Sequence, residues 1–235
     1  MKTYETEIPL ILKSIRNEFA SPCISEGFEA DDLTAARKFH SQLPGYDRTP
    51  LHSLDSLAKK LGVGKILLKD EDYRFDLNAF KVLGGSYAIA RLLGKKYDLS
   101  VDELSLENLK EKITEPMTFT SATDGNHGRG IAWSAMKLGQ KAVIYMPAGT
   151  ADERIVNIQK LGAEVVVTDY NYDDTVRIAH EVSIKNDWEF VQDTAWEGYT
   201  DIPLWIMQGY ATIVSESIEQ LEESNTLPTH IILQG

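Results

Sequence analysis

The stretch from Leu77 to Ser86 offers the clearest chemistry in this sequence, because a lysine, Lys81, stands at its centre. Lys81 directly follows a phenylalanine and precedes Val82, Leu83 and two glycines. Apolar neighbours disfavour a charged ammonium, so we expect a neutral amine that can attack a carbonyl carbon and form a Schiff base. The two glycines would let the backbone pass close to a flat ligand. The alternative interpretation is an ordinary surface lysine at a helix start.

Two further segments carry groups that could act together with this lysine. Residues 121–130 form a glycine-rich turn between a predicted strand and a predicted helix, and such a turn binds anions through its backbone N–H groups and the helix dipole. Residues 191–199 place Asp193 at the end of another predicted strand. For Asp124 or Asp193 alone, a helix cap or a solvated carboxylate is the ordinary explanation. Their shared position at the ends of strands in one sheet favours a site.

The elements that must position these residues alternate regularly from residue 117 onward. A continuous apolar run at 165–167 predicts a buried strand, and apolar residues at helical spacing precede it. This alternation predicts βαβ units on a parallel sheet, with ligands beyond the carboxyl ends of the strands. The predicted strands are Met117–Ser121, Lys141–Met146, Glu164–Thr168 and Glu189–Gln192, and the predicted helices are Asn126–Leu138, Ala151–Leu161 and Asp173–Lys185.

The sequence before residue 117 has a less regular pattern. Helices are predicted over Asp31–Gln42, Ser53–Leu61 and Ser86–Leu93, and a buried strand over Lys65–Lys69. The polar stretch from Gly94 to Pro116 predicts a surface insertion with one helix, at a passage between two domains.

Composition excludes several classes of protein. The formal charge of −12, from 36 acidic and 24 basic residues, argues against a nucleic acid or an anionic membrane as a partner. No run of eighteen apolar residues occurs and the first residues lack the apolar stretch of a signal peptide, which predicts a cytoplasmic protein. The single cysteine, Cys23, cannot form an internal disulfide, and the five histidines show no spacing typical of a metal site.

Taken together, these segments resemble the fold-type II pyridoxal-phosphate enzymes, the superfamily of tryptophan synthase β and threonine dehydratase. The resemblance rests on Phe80-Lys81, followed later by a strand and Gly125-Asn126-His127-Gly128. Residues 76–85, 122–130 and 192–199 are similar, more narrowly, to the diaminopropionate ammonia-lyases. The general dehydratase pattern lacks the aspartate at position 124 and has an arginine-containing turn at positions 83–85.

The resemblance implies a role for each matching residue. The catalytic residues would be Lys81, Asp124 and Asp193, with Lys81 holding the cofactor as a Schiff base and the two aspartates acting as bases on opposite faces of the substrate. Pyridoxal 5′-phosphate would be bound by Phe80, Lys81, Asn126 and, at the start of the phosphate loop, Gly235. The substrate carboxylate would be bound by backbone groups between Thr123 and His127, namely those of Thr123, Asp124, Gly125 and His127.

The activity that the resemblance implies is elimination of ammonia from 2,3-diaminopropionate to give pyruvate, a step of amino-acid catabolism in a cytoplasmic homodimer. A serine or threonine dehydratase and a non-catalytic fragment of the same fold are the alternatives. The implied fold is α/β, in three layers with parallel sheets and two domains. Residues 90–194 would form the small domain, and residues 1–89 and 195–235 an incomplete large domain. The predicted strand Thr229–Gly235 would lead into the phosphate loop, and apolar surface next to the incomplete part should be exposed.

Overall fold

The computed structural model describes residues 26–233, so Cys23 and Gly235 lie outside the described residues. Helices and strands alternate as the sequence predicts, and every predicted element from residue 117 to 192 is confirmed, to within two residues at each end. The helices are α1 Ala30–Ser41, α2 Asp55–Leu61, α3 Lys81–Lys96, α4 Leu106–Lys112, α5 Asn126–Lys137, α6 Asp152–Gln159, α7 Tyr172–Asn186 and α8 Asp201–Glu223. The strands are β1 Leu51–Ser53, β2 Leu67–Lys69, β3 Thr118–Ala122, β4 Lys141–Met146, β5 Glu164–Val167 and β6 Glu189–Phe190.

The predicted parallel sheet is confirmed as four strands in the order β5-β4-β3-β6. Its central strands β3 and β4 are largely buried, and Phe119, Ile144 and Met146 belong to the main core. Helices α5 and α6 contribute to that core, whereas α7 packs on the opposite face through Ala179. The result is an α/β arrangement of three layers, with β1 and β2 forming a separate antiparallel pair. The carboxyl ends of β3 and β6 lie side by side, and this brings the turn after β3 next to the loop after β6.

Helix α3 begins at Lys81, five residues before the predicted start at Ser86, and includes both glycines of the lysine stretch. A Cβ atom on Gly84 would lie 2.6 Å from ring atom Cε1 of Tyr210 in α8, so the glycine is needed for the close approach of these helices. Gly85 is likewise packed against Ile131 of α5. The expectation that these glycines admit a flat ligand is therefore wrong, because both are buried between helices.

Helix α8 is the longest helix of the described chain and was not predicted from the sequence. It leaves large apolar side chains exposed at Met207, Val214 and Ile218, which follow helical spacing along one side. This exposed apolar surface was expected. The predicted strand from Thr229 is wrong for its described part, since residues 229–233 form no strand and their apolar side chains are exposed.

A buried ion-pair cluster fixes α8 to the segment that precedes the lysine stretch. Glu216 of α8 is completely buried and accepts two hydrogen bonds of 2.8 Å from Arg74, which is itself buried. Lys69 donates to the same carboxylate at 2.7 Å, and the Tyr46 hydroxyl donates at 2.5 Å. Burial raises the pKa of Glu216, but the hydrogen bonds from Arg74 and Lys69 lower it below its ordinary value overall.

A buried histidine joins three helices in the same region. Nε2 of His40 in α1 donates to the carbonyl of Leu83 in α3 at 2.9 Å, and Nδ1 accepts from the hydroxyl of Thr212 in α8 at 2.7 Å. Burial lowers the pKa of His40 to about 3, so the ring is neutral at pH 7. These contacts hold the first turns of α3 in a fixed position relative to α8.

Helix α3 runs across the predicted domain boundary at residue 90, and the division into residues 90–194 and the remainder stays a prediction.

None of the helices in the described range is long and apolar enough to cross a membrane. Within residues 26–233, acidic, histidine and cysteine side chains also form no group of three or more that could hold a metal ion.

Candidate active site

The structure brings Lys81 and Asp193 into direct contact, although 112 residues separate them in the sequence. Nζ of Lys81, at the first residue of α3, lies 2.5 Å from Oδ2 of Asp193 in the loop after β6. Lys81 is 35% exposed, whereas Asp193 is mostly buried. Burial raises the pKa of Asp193, but the hydrogen bond and charge of Lys81 help to lower it below its ordinary value. The amine therefore has a carboxylate partner instead of the apolar surroundings that the sequence led us to expect.

His127 lies behind this ion pair, in the first turn of α5. Its side chain is 2% exposed, and Nε2 donates to the carbonyl of Val191 at 2.8 Å. That bond fixes the proton of the neutral ring on Nε2 and leaves Nδ1 as an acceptor. Nδ1 lies 3.8 Å from Oδ2 of Asp193 and has no hydrogen-bond partner within the described chain. Burial lowers the pKa of His127, and the charge of Asp193 opposes this effect.

The turn after β3 has the form expected of an anion receptor. Gly125 has φ +155°, which side-chain-bearing residues rarely adopt, and the hydroxyl of Thr123 accepts the backbone N–H groups of Gly125 and Gly128 at 3.0 and 3.3 Å. Within residues 26–233, the backbone N–H groups of Asn126 and His127 donate to no other residue, as is usual at a helix N-terminus. These free donors, together with the helix dipole, favour a carboxylate or another anion.

Asp124 occupies the exposed side of this turn. Its side chain is 77% exposed and lies 3.6 Å from Nη1 of Arg154 in α6, which also donates to the Asp124 carbonyl at 2.7 Å. The structure therefore holds Asp124 and Asp193 at the same edge of the sheet but in different environments. Asp193 is mostly buried beside Lys81, whereas Asp124 faces solvent.

Two residues that were not predicted as part of the site, Gln192 and Tyr172, connect Asp193 to the sheet. Gln192 is buried, and its Oε1 accepts from the Ser121 hydroxyl at 3.0 Å and the Ala122 N–H at 3.1 Å. This fixes its Nε2 as a donor to the Tyr172 hydroxyl at 3.0 Å and to Oδ1 of Asp193 at 3.4 Å. Their positions in the sequence could have indicated both residues. Gln192 directly precedes Asp193, and Tyr172 begins the helix that follows β5.

A third missed residue, Tyr210 of α8, stands beside the predicted cofactor neighbour Phe80. The ring of Phe80 is partly exposed and meets the ring of Tyr210 edge-on, with 5.1 Å between the centroids. The Tyr210 hydroxyl is buried and has no hydrogen-bond partner among the described residues. Burial raises the pKa of Tyr210, and Asp193 adds to this increase, so the phenol is neutral at pH 7. No pattern in the sequence indicated Tyr210, since α8 itself was not predicted.

The described residues fit the carbonyl end of an aldehyde cofactor. An accessible lysine amine stands next to a mostly buried carboxylate, an exposed aromatic ring lies beside it, and two buried polar atoms nearby, Nδ1 of His127 and the Tyr210 hydroxyl, have no partner in the described chain. Such unpaired groups are expected where a polar ligand completes the site. The predicted contact of Gly235 with the cofactor lies outside the described residues.

Comparison with known proteins agrees with this chemistry. A family model described as "Pyridoxal-phosphate dependent enzyme" matches residues 43–235. The chain is 57% identical to a diaminopropionate ammonia-lyase of Escherichia coli K12 over 219 residues, which are 93% of this chain and 55% of that enzyme. It is 31% identical to a biosynthetic L-threonine dehydratase of the same organism over 73% of this chain and 28% of that enzyme.

Among solved structures, the chain is similar to the E. coli diaminopropionate ammonia-lyase in complex with an aminoacrylate-PLP azomethine reaction intermediate. The TM-score is 0.85 at 55% identity, and the match covers 91% of this chain and 54% of that one. The chain thus spans about half the length of these diaminopropionate ammonia-lyases.

Proposed function

Since this chain belongs to the pyridoxal-phosphate dependent enzyme family, we propose that it carries the lysine-bearing half of a lyase that eliminates ammonia from 2,3-diaminopropionate and yields pyruvate. The observation that carries the proposal is the contact of Lys81 with Asp193 beside a turn with free N–H donors. Relatives that share more than half of the aligned residues act, by their names, on diaminopropionate, and a dehydratase is far less similar.

Each residue of the site has a role in this proposal. Lys81 would hold the cofactor through its amine, Phe80 would flank it, and Asn126 would donate to the 3′-oxygen of the pyridine ring. When bound, the cofactor withdraws electrons from the substrate and so makes its α-proton acidic. Asp193 lies close enough to Lys81 to exchange a proton with it directly.

The turn after β3 binds and orients the substrate. The free N–H groups of Asn126 and His127 donate to its carboxylate, and Gly125 allows the backbone conformation of this turn. The second amino group of diaminopropionate leaves poorly unless it is protonated. Asp124 is placed to attract that ammonium and to hold or deliver its proton, and with Asp193 it provides a base for each enantiomer of the substrate.

A chemical test of the cofactor site uses the chain as it is. The protein is incubated with pyridoxal 5′-phosphate and reduced with borohydride, and the modified lysine is identified by peptide mass spectrometry. We expect the label at Lys81 and its loss in Lys81→Arg, with the exposed Lys65 as the reference for non-specific labelling. Labelling of Lys81 no stronger than that of Lys65 would contradict the proposal.

A second test addresses the substrate. Pyruvate release from 2,3-diaminopropionate and from serine is compared in the unmodified chain and in Asp124→Asn. General acid–base groups contribute about 100- to 10,000-fold, so the variant should lose activity by about this factor with diaminopropionate and by much less with serine. Equal losses with both substrates would argue against a specific role of Asp124 toward the second amino group.

We extend the proposal to a cytoplasmic location and a homodimeric assembly. A single cysteine, which allows no internal disulfide, supports a reducing compartment. The exposed apolar residues Met207, Val214 and Ile218 of α8 support burial against another protein surface. Light scattering coupled to gel filtration measures the molar mass of the protein in solution. A monomeric mass at all concentrations would contradict the proposed homodimer.

A further inference from the structure

The hydrogen bonds around Lys81 suggest where its proton goes. An ammonium cannot attack a carbonyl group, so Lys81 must lose a proton before it can react. Its Nζ lies 2.5 Å from Oδ2 of Asp193, and the same oxygen lies 3.8 Å from the unpaired Nδ1 of His127. The distance to Nδ1 is about 1 Å longer than a hydrogen bond, so a small movement of either side chain would close it.

We propose that Asp193 and His127 act as one proton-accepting pair for Lys81. In the form described here, the ammonium is paired with the Asp193 carboxylate and His127 is neutral. When Nζ gives its proton to Oδ2, the new acid donates to Nδ1 of His127, and the pair as a unit holds the transferred proton. The inference rests on the proposed function for its purpose, because it explains how Lys81 becomes a nucleophile, and it makes His127 a positioning residue.

The tautomer of His127 is what makes the pair possible. Because Nε2 donates to the Val191 carbonyl at 2.8 Å, Nδ1 of the neutral ring has no proton and can only accept. A donor is missing at this buried atom as long as Asp193 is ionised. A protonated Asp193 supplies that donor, so the proton transfer provides this buried nitrogen with a hydrogen-bond partner.

The charged surroundings of the pair are simple. Within the described chain, the charges that act on His127 are those of Asp193, which favours the protonated ring, and Lys81 of α3, which disfavours it. Helix α6, which also packs against α5, contributes Arg154, and this side chain is engaged with Asp124. The remaining titratable groups near Asp193 are phenols whose pKa values are raised by burial, namely Tyr172, Tyr199 and Tyr210.

Nuclear magnetic resonance of the imidazole nitrogens tests the pair without cofactor or substrate. In the unmodified chain at pH 7, we expect a proton on Nε2 of His127 and none on Nδ1. In Lys81→Met, the titration midpoint of His127 should rise by about one pH unit or more, since a charge near a buried group shifts its pKa by one to three units. A downfield Nδ1–H signal should then appear, and it should be absent from the double variant Lys81→Met/Asp193→Asn.

The matched control is Lys65→Met, because Lys65 is exposed and contacts only Thr226 at 3.3 Å within the described chain. This substitution should leave the His127 midpoint unchanged. The proposal is overturned if His127 of the unmodified chain carries its proton on Nδ1. It is overturned equally if Lys81→Met produces neither the rise nor the Nδ1–H signal. These results do not depend on whether pyridoxal phosphate labels Lys81, so failure of the proposed function is distinguishable from failure of the pair.

A kinetic readout separates the pair from a merely structural histidine. Reductive methylation with formaldehyde measures how readily each lysine reacts as a free amine. In His127→Gln, methylation of Lys81 relative to Lys65 should fall by about 100-fold near neutral pH, the lower end of the range for loss of an acid–base partner, and recover as the pH rises. A histidine that only holds the Val191 carbonyl would leave this ratio and its pH profile unchanged, and that outcome would also overturn the proposal.

Discussion

Replacing Glu216 by glutamine should destabilise the fold more than any other single loss of charge on α8. The carboxylate is completely buried and receives two hydrogen bonds from Arg74 and one from Lys69. A glutamine of the same size removes the negative charge and turns one oxygen into an NH₂ group that faces the guanidinium donors. Breaking a buried ion pair by removing one partner costs about 3–5 kcal/mol. In a domain of this size each kcal/mol lowers the melting temperature by about 2–4 °C, so we expect a decrease of roughly 6–20 °C in thermal unfolding followed by circular dichroism.

The matched control for this prediction is Glu219→Gln, three residues further along the same helix. Glu219 is 45% exposed and pairs with Arg37 and Arg48 at 3.1 and 3.5 Å. Exposed ion pairs contribute about 0–1 kcal/mol, so this variant should melt within a few degrees of the parent. If the two variants lose the same stability, the reasoning that burial makes the Glu216 cluster critical is refuted.

The pH dependence of the Glu216 contribution has a definite sign. Its pKa is lowered in the folded chain, because the hydrogen bonds from Arg74 and Lys69 outweigh the effect of burial. The folded state therefore binds fewer protons than the unfolded state in this range. The contribution is complete above the pKa of an unfolded glutamate, about 4.3, and is lost as the pH falls through the folded value. Between these pH values the difference in unfolding free energy between the parent and Glu216→Gln should decrease.

Two further predictions concern the packing that holds α3. Burial lowers the pKa of His40 from its ordinary value of 6.5 to about 3, so its contribution to stability is complete above pH 6.5 and declines as the pH falls towards 3. His40→Gln should therefore flatten the dependence of melting temperature on pH in that interval. An unchanged slope would contradict this assignment. Gly84→Ala would place a Cβ atom 2.6 Å from both Ile206 and Tyr210, and such overpacking costs about 1–3 kcal/mol in urea unfolding. Gly64→Ala is its control, because no atom lies within 4 Å of that Cβ position and the change should be neutral or slightly stabilising.

The local pattern of the sequence was enough to predict the parallel sheet. The helical periodicity of α6 reflects its one buried face, and this information is carried by neighbouring residues. The apolar run at 165–167 correctly predicted β5, but the expectation that this strand is buried is wrong, because β5 lies at the edge of the sheet and Val167 is 47% exposed. Helix α8 was not predicted because its apolar residues do not mark one buried face. Val214 is exposed, whereas Ile206 is buried. Its buried polar residue Glu216 also makes sense only with Arg74, which is 142 residues away in the sequence.

In the candidate site, too, some features could be predicted from the sequence and others could not. The types and spacing of Lys81, Asp124, Asn126 and Asp193 were sufficient to predict a Schiff-base lysine, an anion-binding turn and two carboxylates. The sequence by itself thus determined which chemical groups are available and that the strand ends collect them at one edge of the sheet.

Only the tertiary structure decided how these groups act on one another. The contact of Lys81 with Asp193, the tautomer of His127 and the different exposure of the two aspartates depend on the packing of α3 and α5 and on the loop after β6. Distances of a few ångströms between residues far apart in the chain determine charge state and hydrogen bonding. Such distances are set by the side chains packed between the elements, which no local pattern records.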